Sequence, residues 1–511
     1  MCGAATMFAR IDNFLANHSP AWYRAPSVQT ATLGVVFFWV FAAYTTIQFY
    51  AASTYGPDLA ADSVSAVYFC FTVTCLIAPS VTNKFGCRVT MFFGVLAYAS
   101  LVLNSLIYFL YGGEDVRWSR RMVVVGGGIL GCGASLLWTS QGRLILQYAS
   151  KAEELRVLEE QDGVLNKSKT QTGRLMGLFW SIFQCSALVG GGVSFLYFNK
   201  KPEGSAALYC LFLAFILIGA LFTQLLLPPS MLKTSGSTVS FNRTKSPSYS
   251  SLDLAERTPL YCNVDSGGQY TGEETEVSIP VVVADLSHQS WSEEARGTFY
   301  LFISKRMGCL LLLFFYTGFN QPYQQATFGN RFFTRRTIGA ELIIFHLMEI
   351  LGAIVIGRFL DDDKVSENYS HNKSFSKKTR ARLCLGSFIV INSIGNILAA
   401  IQEYNAKHAL TPTAHDILSV GVIPPSMAFA CWGFADAQIQ VYCYWLLGGF
   451  YSSGHDHARA VGVYKLAQSL GTSIGFFLIP VSRLGELSQL LCSTLVFVVG
   501  TGLSFQSTFF L

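Results

Sequence analysis

The chain has 511 residues, of which 51% are hydrophobic and only 13% charged, with 36 Lys and Arg against 31 Asp and Glu. Soluble globular domains carry about a quarter charged residues, so this composition excludes a fold solvated by water alone and predicts a polytopic membrane protein. The thirteen cysteines contain no C-x-x-C pair and fall mostly in apolar runs, which argues against a zinc site or a secreted disulfide framework.

Residues 1–27 are polar and mixed, and the apolar run that follows is too long for the core of a cleaved signal peptide; it reads as an uncleaved first span. A bilayer's hydrocarbon core of roughly 30 Å needs about 20 apolar residues per helix. Twelve such windows follow, at 28–52, 63–81, 89–111, 122–148, 173–198, 206–227, 307–327, 338–360, 383–401, 417–449, 460–480 and 487–510. Residues 151–162 alternate acids, bases and leucines and predict a helical extension of the fourth span. The segment between the sixth and seventh spans is rich in Ser and Thr and reads as a disordered loop. The expected organisation is therefore a cytosolic segment 1–27, a six-helix half 28–228, a cytosolic loop 229–303 and a second six-helix half 304–511.

The two halves resemble each other. QFYAASTYG (48–56) aligns without gaps with QPYQQATFG (321–329), bringing Gln48 opposite Gln321. In the fourth span of each half, GASLLWTSQG (133–142) matches MAFACWGFADAQ (427–438), so that Trp138 corresponds to Trp432 and, with one residue of slip, Gln141 to Asp436. The fifth spans share Q-x6-G, as Gln184 with Gly191 and Gln468 with Gly475. Short matches in the same order at equivalent spans indicate a parallel repeat of six helices, an all-α plan whose binding sites lie near the midplane between halves.

Lys and Arg concentrate in the even-numbered connections, which places both termini in the cytosol by the positive-inside rule. The N-x-[ST] triplets at Asn166, Asn242, Asn368 and Asn372 then fall on the cytosolic side, where glycosylation is not expected. Two Y-x-x-Φ matches in the central loop, Tyr249 to Leu252 and Tyr261 to Val264, suggest an endosomal or lysosomal membrane, with the plasma membrane as the other destination.

The motifs now identify a family resemblance. W-x-x-Q-G at Trp138, Gln141 and Gly142, GLFWSIFQCS (177–186), GFADAQIQ (433–440) and AVGVYKLAQSLGTSIGFF (460–477) resemble the Unc ninety-three family of ion-channel regulatory proteins, a divergent branch of the major facilitator superfamily. The superfamily's loop motif G-x-L-A-D-R-x-G-R-K is degraded to PSVTNKFGCR (79–88), which keeps Gly86 and Arg88 but places Asn83 where the acid belongs. The second half retains G-R-F-L-D as Gly357 to Asp361. The resemblance implies a twelve-helix transporter fold and a conformational lock built from these loop residues.

Other patterns have plainer readings. Gly126, Gly128 and Gly131 satisfy G-x-G-x-x-G, but inside an apolar run with no preceding strand they predict close helix contact, as does Gly127 with Gly131. His455 and His457 read as solvated loop histidines, and Arg143 as an anchor snorkelling to the interface. No phosphate loop or nucleophile triad suggests an enzyme, and no cofactor, metal or nucleic acid is expected.

Buried ionisable residues in a span mark function, because each costs several kcal/mol to insert. Glu349 lies about twelve residues into the eighth span with His346 one turn before it on the same face, a candidate proton or cation site. Asp436 and Lys465 lie at similar depth in consecutive helices and predict a structural ion pair. Two functions follow. One is a solute carrier working by alternating access on an unidentified small solute or ion, with Gln48, Trp138, Gln141, Gln184, Gln321, His346, Glu349 and Asp436 around a central cavity. The other is a bilayer scaffold that regulates a channel or escorts another membrane protein.

Overall fold

A computed structural model describes residues 2–55, 57–112, 117–161, 171–200, 206–233, 290–361, 376–408, 414–478 and 483–511. The four sequons, both Y-x-x-Φ motifs and most of the expected disordered loop lie outside these residues.

Twelve helical spans follow an N-terminal helix α1 (Cys2–His18). In the first half they are α2 (Pro26–Tyr55), the bent pair α3 (Pro57–Cys75) and α4 (Ala78–Phe85), α5 (Cys87–Ile107), α6 (Arg117–Gln161), α7 (Thr172–Lys200) and α8 (Ala206–Phe222). A short helix α9 (Trp291–Phe302) precedes the second half. That half contains α10 (Lys305–Gln321) with its continuation α11 (Gly329–Phe332), then α12 (Arg335–Asp361), α13 (Lys377–Lys407), α14 (Ile423–Phe450), α15 (Gly454–Leu478) and α16 (Glu486–Ser507).

Proline explains most departures from the expected limits. Pro322 removes a backbone donor, and the end of α10 widens into a π-helical segment, Pro322–Phe328, before α11. The tenth span starts at Ile423 rather than at 417, because Pro424 and Pro425 occupy its first turn, where a missing N–H costs no hydrogen bond. The sixth span ends at Phe222, short of 227; Leu227 leaves the helix, and its N–H donates to Gln29 Oε1 at 2.8 Å. Residues 290–302, expected in the disordered loop, instead form α9. A capping box, with Ser290 accepting from the Glu293 N–H and Glu293 reaching back to Ser290, starts this helix.

The halves repeat one packing pattern. In the first, α2 packs on α7 and α8, α6 on α3 and α5, and α5 on α8; in the second, α10 packs on α15 and α16, α14 on α12 and α13, and α13 on α16. Close approach needs small residues. A Cβ on Gly131 would lie 2.1 Å from the Val67 carbonyl oxygen, and one on Gly127 2.7 Å from that of Ser63, so the glycines of α6 serve helix contact with α3. Between halves, α7 meets α12 and α14, and α15 meets α3, α4 and α6. The contact of α7 with α12 is again backbone on backbone, since a Cβ on Gly357 would stand 2.4 Å from the Gly173 carbonyl oxygen.

Seven of the helices are long and apolar enough to cross a membrane by composition alone, and the pairs α3 with α4 (bent by 62°) and α9 with α10 (bent by 79°) add two more. The remaining long helices, α7, α14 and α15, carry Gln184, Asp436, Gln440, Lys465 and Gln468 in their middle turns and form much of the seam. Polar groups there are sheltered by the partner half rather than facing lipid.

Candidate functional site

A chain of buried side chains crosses the seam. On α12, His346 Nδ1 lies 2.6 Å from Glu349 Oε2, the two sharing a face three residues apart. Glu349 and Asp436 of α14, both nearly inaccessible, lie on the packed helices α12 and α14. An ionised carboxyl is an acceptor only, so two buried ones on one pair of packed helices favour a shared proton or a bound cation. Asp436 Oδ2 accepts from Gln440 Nε2 at 2.7 Å, one turn along α14. Gln440 Oε1 in turn accepts from Tyr464 Oη at 3.4 Å and Gln468 Nε2 at 3.5 Å, both on α15. Lys465 Nζ donates to Gln468 Oε1 at 2.7 Å.

Lys465 closes the chain onto the first half. Its ammonium sits 4.2 Å from the ring centroid of Trp138 on α6, with the Tyr464 and Tyr444 rings at 4.9 and 5.7 Å. Desolvated cation–π contacts are worth on the order of 2 kcal/mol each, which offsets part of the cost of burying the charge. Beside it, Tyr444 Oη donates to Gln141 Oε1 at 3.4 Å, a second bond between halves.

The structure thus unites His346, Glu349, Asp436, Trp138 and Gln141 along one seam and separates the other expected residues. Gln48 lines a small cleft with Tyr44, Ser63, Val67 and Leu101 between α2, α3 and α5. Gln184 is buried on α7 next to the Phe183 ring of an aromatic cluster, and Gln321 ends α10 where the π segment begins. The expected Asp436–Lys465 ion pair is replaced by a link through Gln440 and Gln468, because each charged group bonds an amide on its own helix and the two amides bond each other. Sequence reasoning missed Gln440, Gln468 and Tyr464 as members, although Gln440 lies four residues after Asp436 and Gln468 three after Lys465, the spacings that put neighbours on one helical face.

The end of the bundle that carries α1 holds the loop residues. Gly86 has φ of 79°, a conformation that glycine tolerates, between α4 and α5. Arg88 pairs with Asp12 of α1 and donates to the Gln224 carbonyl at 3.0 Å, so it ties the first half to its own N-terminal helix. Asp361 reaches across the seam: its Oδ2 accepts from the Arg174 backbone N–H at 2.6 Å and its Oδ1 from Trp445 Nε1 at 3.3 Å. Asn83 Nδ2 donates to Glu294 Oε2 of α9 at 2.9 Å.

Two expectations change at this end. Arg143 is buried, and its Nη1 donates to the Thr82 carbonyl at 3.0 Å rather than snorkelling outward, because α4 folds over it. His457 is buried with Nε2 2.7 Å from the Tyr451 carbonyl, and His455 Nδ1 faces Glu294 Oε1 at 3.4 Å; both histidines fix the start of α15 instead of standing in solvent. The extension of α6 runs to Gln161 as expected.

Known proteins share this architecture. The family described as "Ion channel regulatory protein UNC-93" matches residues 61–159 and 163–505. UNC93-like protein 1 of Arabidopsis thaliana is 23% identical over 474 residues, covering 90% of this chain and 86% of that protein. UNC93-like protein MFSD11 of Xenopus laevis is 24% identical over 471 residues, covering 87% and 88%. Among solved structures, the major facilitator superfamily transporter FucP in its outward conformation superposes with a TM-score of 0.56 at 14% identity, over 94% of this chain and 99% of that one. The likeness shows that this chain has the fold of a major facilitator superfamily transporter.

Proposed function

The chain belongs to the UNC-93 family, and from that membership and its two-half transporter fold we propose that it is a solute carrier working by alternating access, with the Glu349–Asp436 pair as its proton or cation site. The observation that carries this reading is the placing of two buried carboxyls on packed helices in mid-span, flanked by His346 and Gln440. A scaffold has no need of two buried mid-span carboxyls, and their insertion cost favours a functional origin. The chain of amides from Gln440 to Lys465 and the Lys465–Trp138 contact link the occupancy of that pair to the seam that alternating access must open. In this reading the α1 end faces the cytosol, and the protein resides in the plasma membrane or an endosomal or lysosomal membrane.

The family description favours a second reading, in which the same fold regulates an ion channel or escorts another membrane protein. Purified protein in proteoliposomes distinguishes them. A carrier is stabilised by its solute, by about 2.7 kcal/mol at a hundred times Kd, and in a thermal-shift screen that stabilisation should change with pH and vanish in Glu349→Gln. If no solute or cation shifts the melting temperature of a well-folded preparation, and a channel subunit does, the regulator reading replaces the carrier.

A further inference from the structure

Asp361 and Asn83 occupy equivalent places in the two halves. Each follows the stretch that packs on the N-terminal part of a helix from the other half: Gly357 lies on Gly173 of α7, and Pro79 lies on Gly462 of α15, where an added Cβ would stand 2.3 Å from the proline ring. Asp361 completes its side with a charge, accepting from the first turn of α7, where unpaired N–H groups and the helix dipole favour an anion. Asn83 brings no charge to the corresponding turn of α15.

The charge there comes from α9. Glu294 is fully buried and accepts from Arg459 Nε at 3.2 Å, Arg459 Nη2 at 3.0 Å and Asn83 Nδ2 at 2.9 Å, with His455 Nδ1 at 3.4 Å. One carboxylate therefore joins α4 of the first half to α15 of the second. The seat is shaped for α9: a Cβ on Gly297 would lie 2.6 Å from the Arg459 guanidinium carbon, and Lys84 covers the Trp291 ring at 5.0 Å. The capping box at Ser290 starts the helix so that Glu294 falls in its first turn.

We propose that α9 is a latch between the halves, in which Glu294, carried on the segment that joins them, supplies the carboxylate that position 83 lacks. Releasing α9 frees this end of the seam to open, while the Asp361 clamp on the other side stays intact. The latch is independent of whether the protein carries a solute.

Single-molecule energy transfer tests it, with fluorescent non-natural amino acids at the exposed Glu154 and Lys377 in the full chain in lipid nanodiscs, so that the native cysteines remain untouched. Glu294→Gln should raise the population with the longer distance on the order of tenfold, the size of effect expected for losing a charge-assisted hydrogen bond. Adding Asn83→Asp, which sets a carboxylate next to position 294, should return the short distance. If Glu294→Gln fails to fold, recovery of a monodisperse, short-distance protein by Asn83→Asp supports the latch equally. An unchanged distance in folded Glu294→Gln overturns it, and so does any widening or misfolding that Asn83→Asp does not reverse.

Discussion

The interiors of the two halves are built on one helix arrangement and filled with opposite chemistry. In the first half, Phe37, Phe41, Trp138, Phe179, Trp180 and Phe183 pack ring on ring, with centroids 4.9 to 6.0 Å apart. The second half has an aromatic cluster of its own around Trp432, but that indole donates to Asn396 Oδ1 at 2.8 Å, and nearby Tyr316 donates to Asn392 Oδ1 at 3.1 Å. His346, Glu349 and Asp436 all belong to this half. Duplication therefore preserved what helix packing requires, small residues at the crossings, and left the interior side chains free to diverge. The first half presents a mainly aromatic wall whose Trp138 face is covered by Lys465, and the second presents that charge.

The sharpest test of this division removes the charges. Asp436→Ala and Lys465→Ala should each destabilise the protein by about 3 to 5 kcal/mol, the scale for stripping one member from a buried charged network. Gln141→Ala, its counterpart in the first half, should cost about 1 kcal/mol, the net worth of an ordinary hydrogen bond. Because Asp436 and Lys465 communicate through amides, the exchange Asp436→Lys with Lys465→Asp should not recover the folded yield in detergent; recovery would restore the direct ion pair.

Glu349→Gln keeps shape and hydrogen bonding, so its melting temperature without ligand should stay within a few degrees of wild type, while the roughly 2.7 kcal/mol of solute stabilisation disappears. Equal stabilisation of both proteins in the thermal-shift screen would remove Glu349 from the site.

Glycines separate packing within a half from packing across the seam. Gly131→Val forces a side chain against the Val67 carbonyl and should cost about 1 to 3 kcal/mol without moving the halves. Gly357→Ala wedges α12 from α7 and should lengthen the Glu154–Lys377 distance at a smaller cost in stability. The same lengthening in both variants would mean that the halves do not move as separate units.

The smallest effect concerns α9. Hydrogen bonds from the Ser290 backbone and side chain hold the exposed Glu293 carboxyl below its ordinary value. A depressed carboxyl contributes above its unfolded pKa and loses that contribution as pH falls through the folded one, so the cap should weaken only in acid, below the usual glutamate range. Hydrogen exchange of the first turn of α9 should show this dependence in wild type and not in Glu293→Gln; a loss of protection near neutral pH would contradict it.

Sequence alone determined the polytopic membrane class, the repeated helix order and the family, because apolar length and short ordered matches need no third dimension. It also determined the His346–Glu349 neighbourhood, since residues three apart on a helix share a face whatever the helix packs against. The capping box of α9 was legible too, as S-x-x-E at Ser290 and Glu293, but the helix went unread inside a polar, Ser-rich stretch that composition assigns to a loop. Only the tertiary structure decided where α14 and α15 turn their polar faces. Periodicity fixes which residues share a face and leaves the rotation of that face about the helix axis to packing. That rotation sends Asp436 toward Glu349, Lys465 onto Trp138 and Arg143 inward under α4, and it lets a glutamate 211 positions from Asn83 come within 2.9 Å of it.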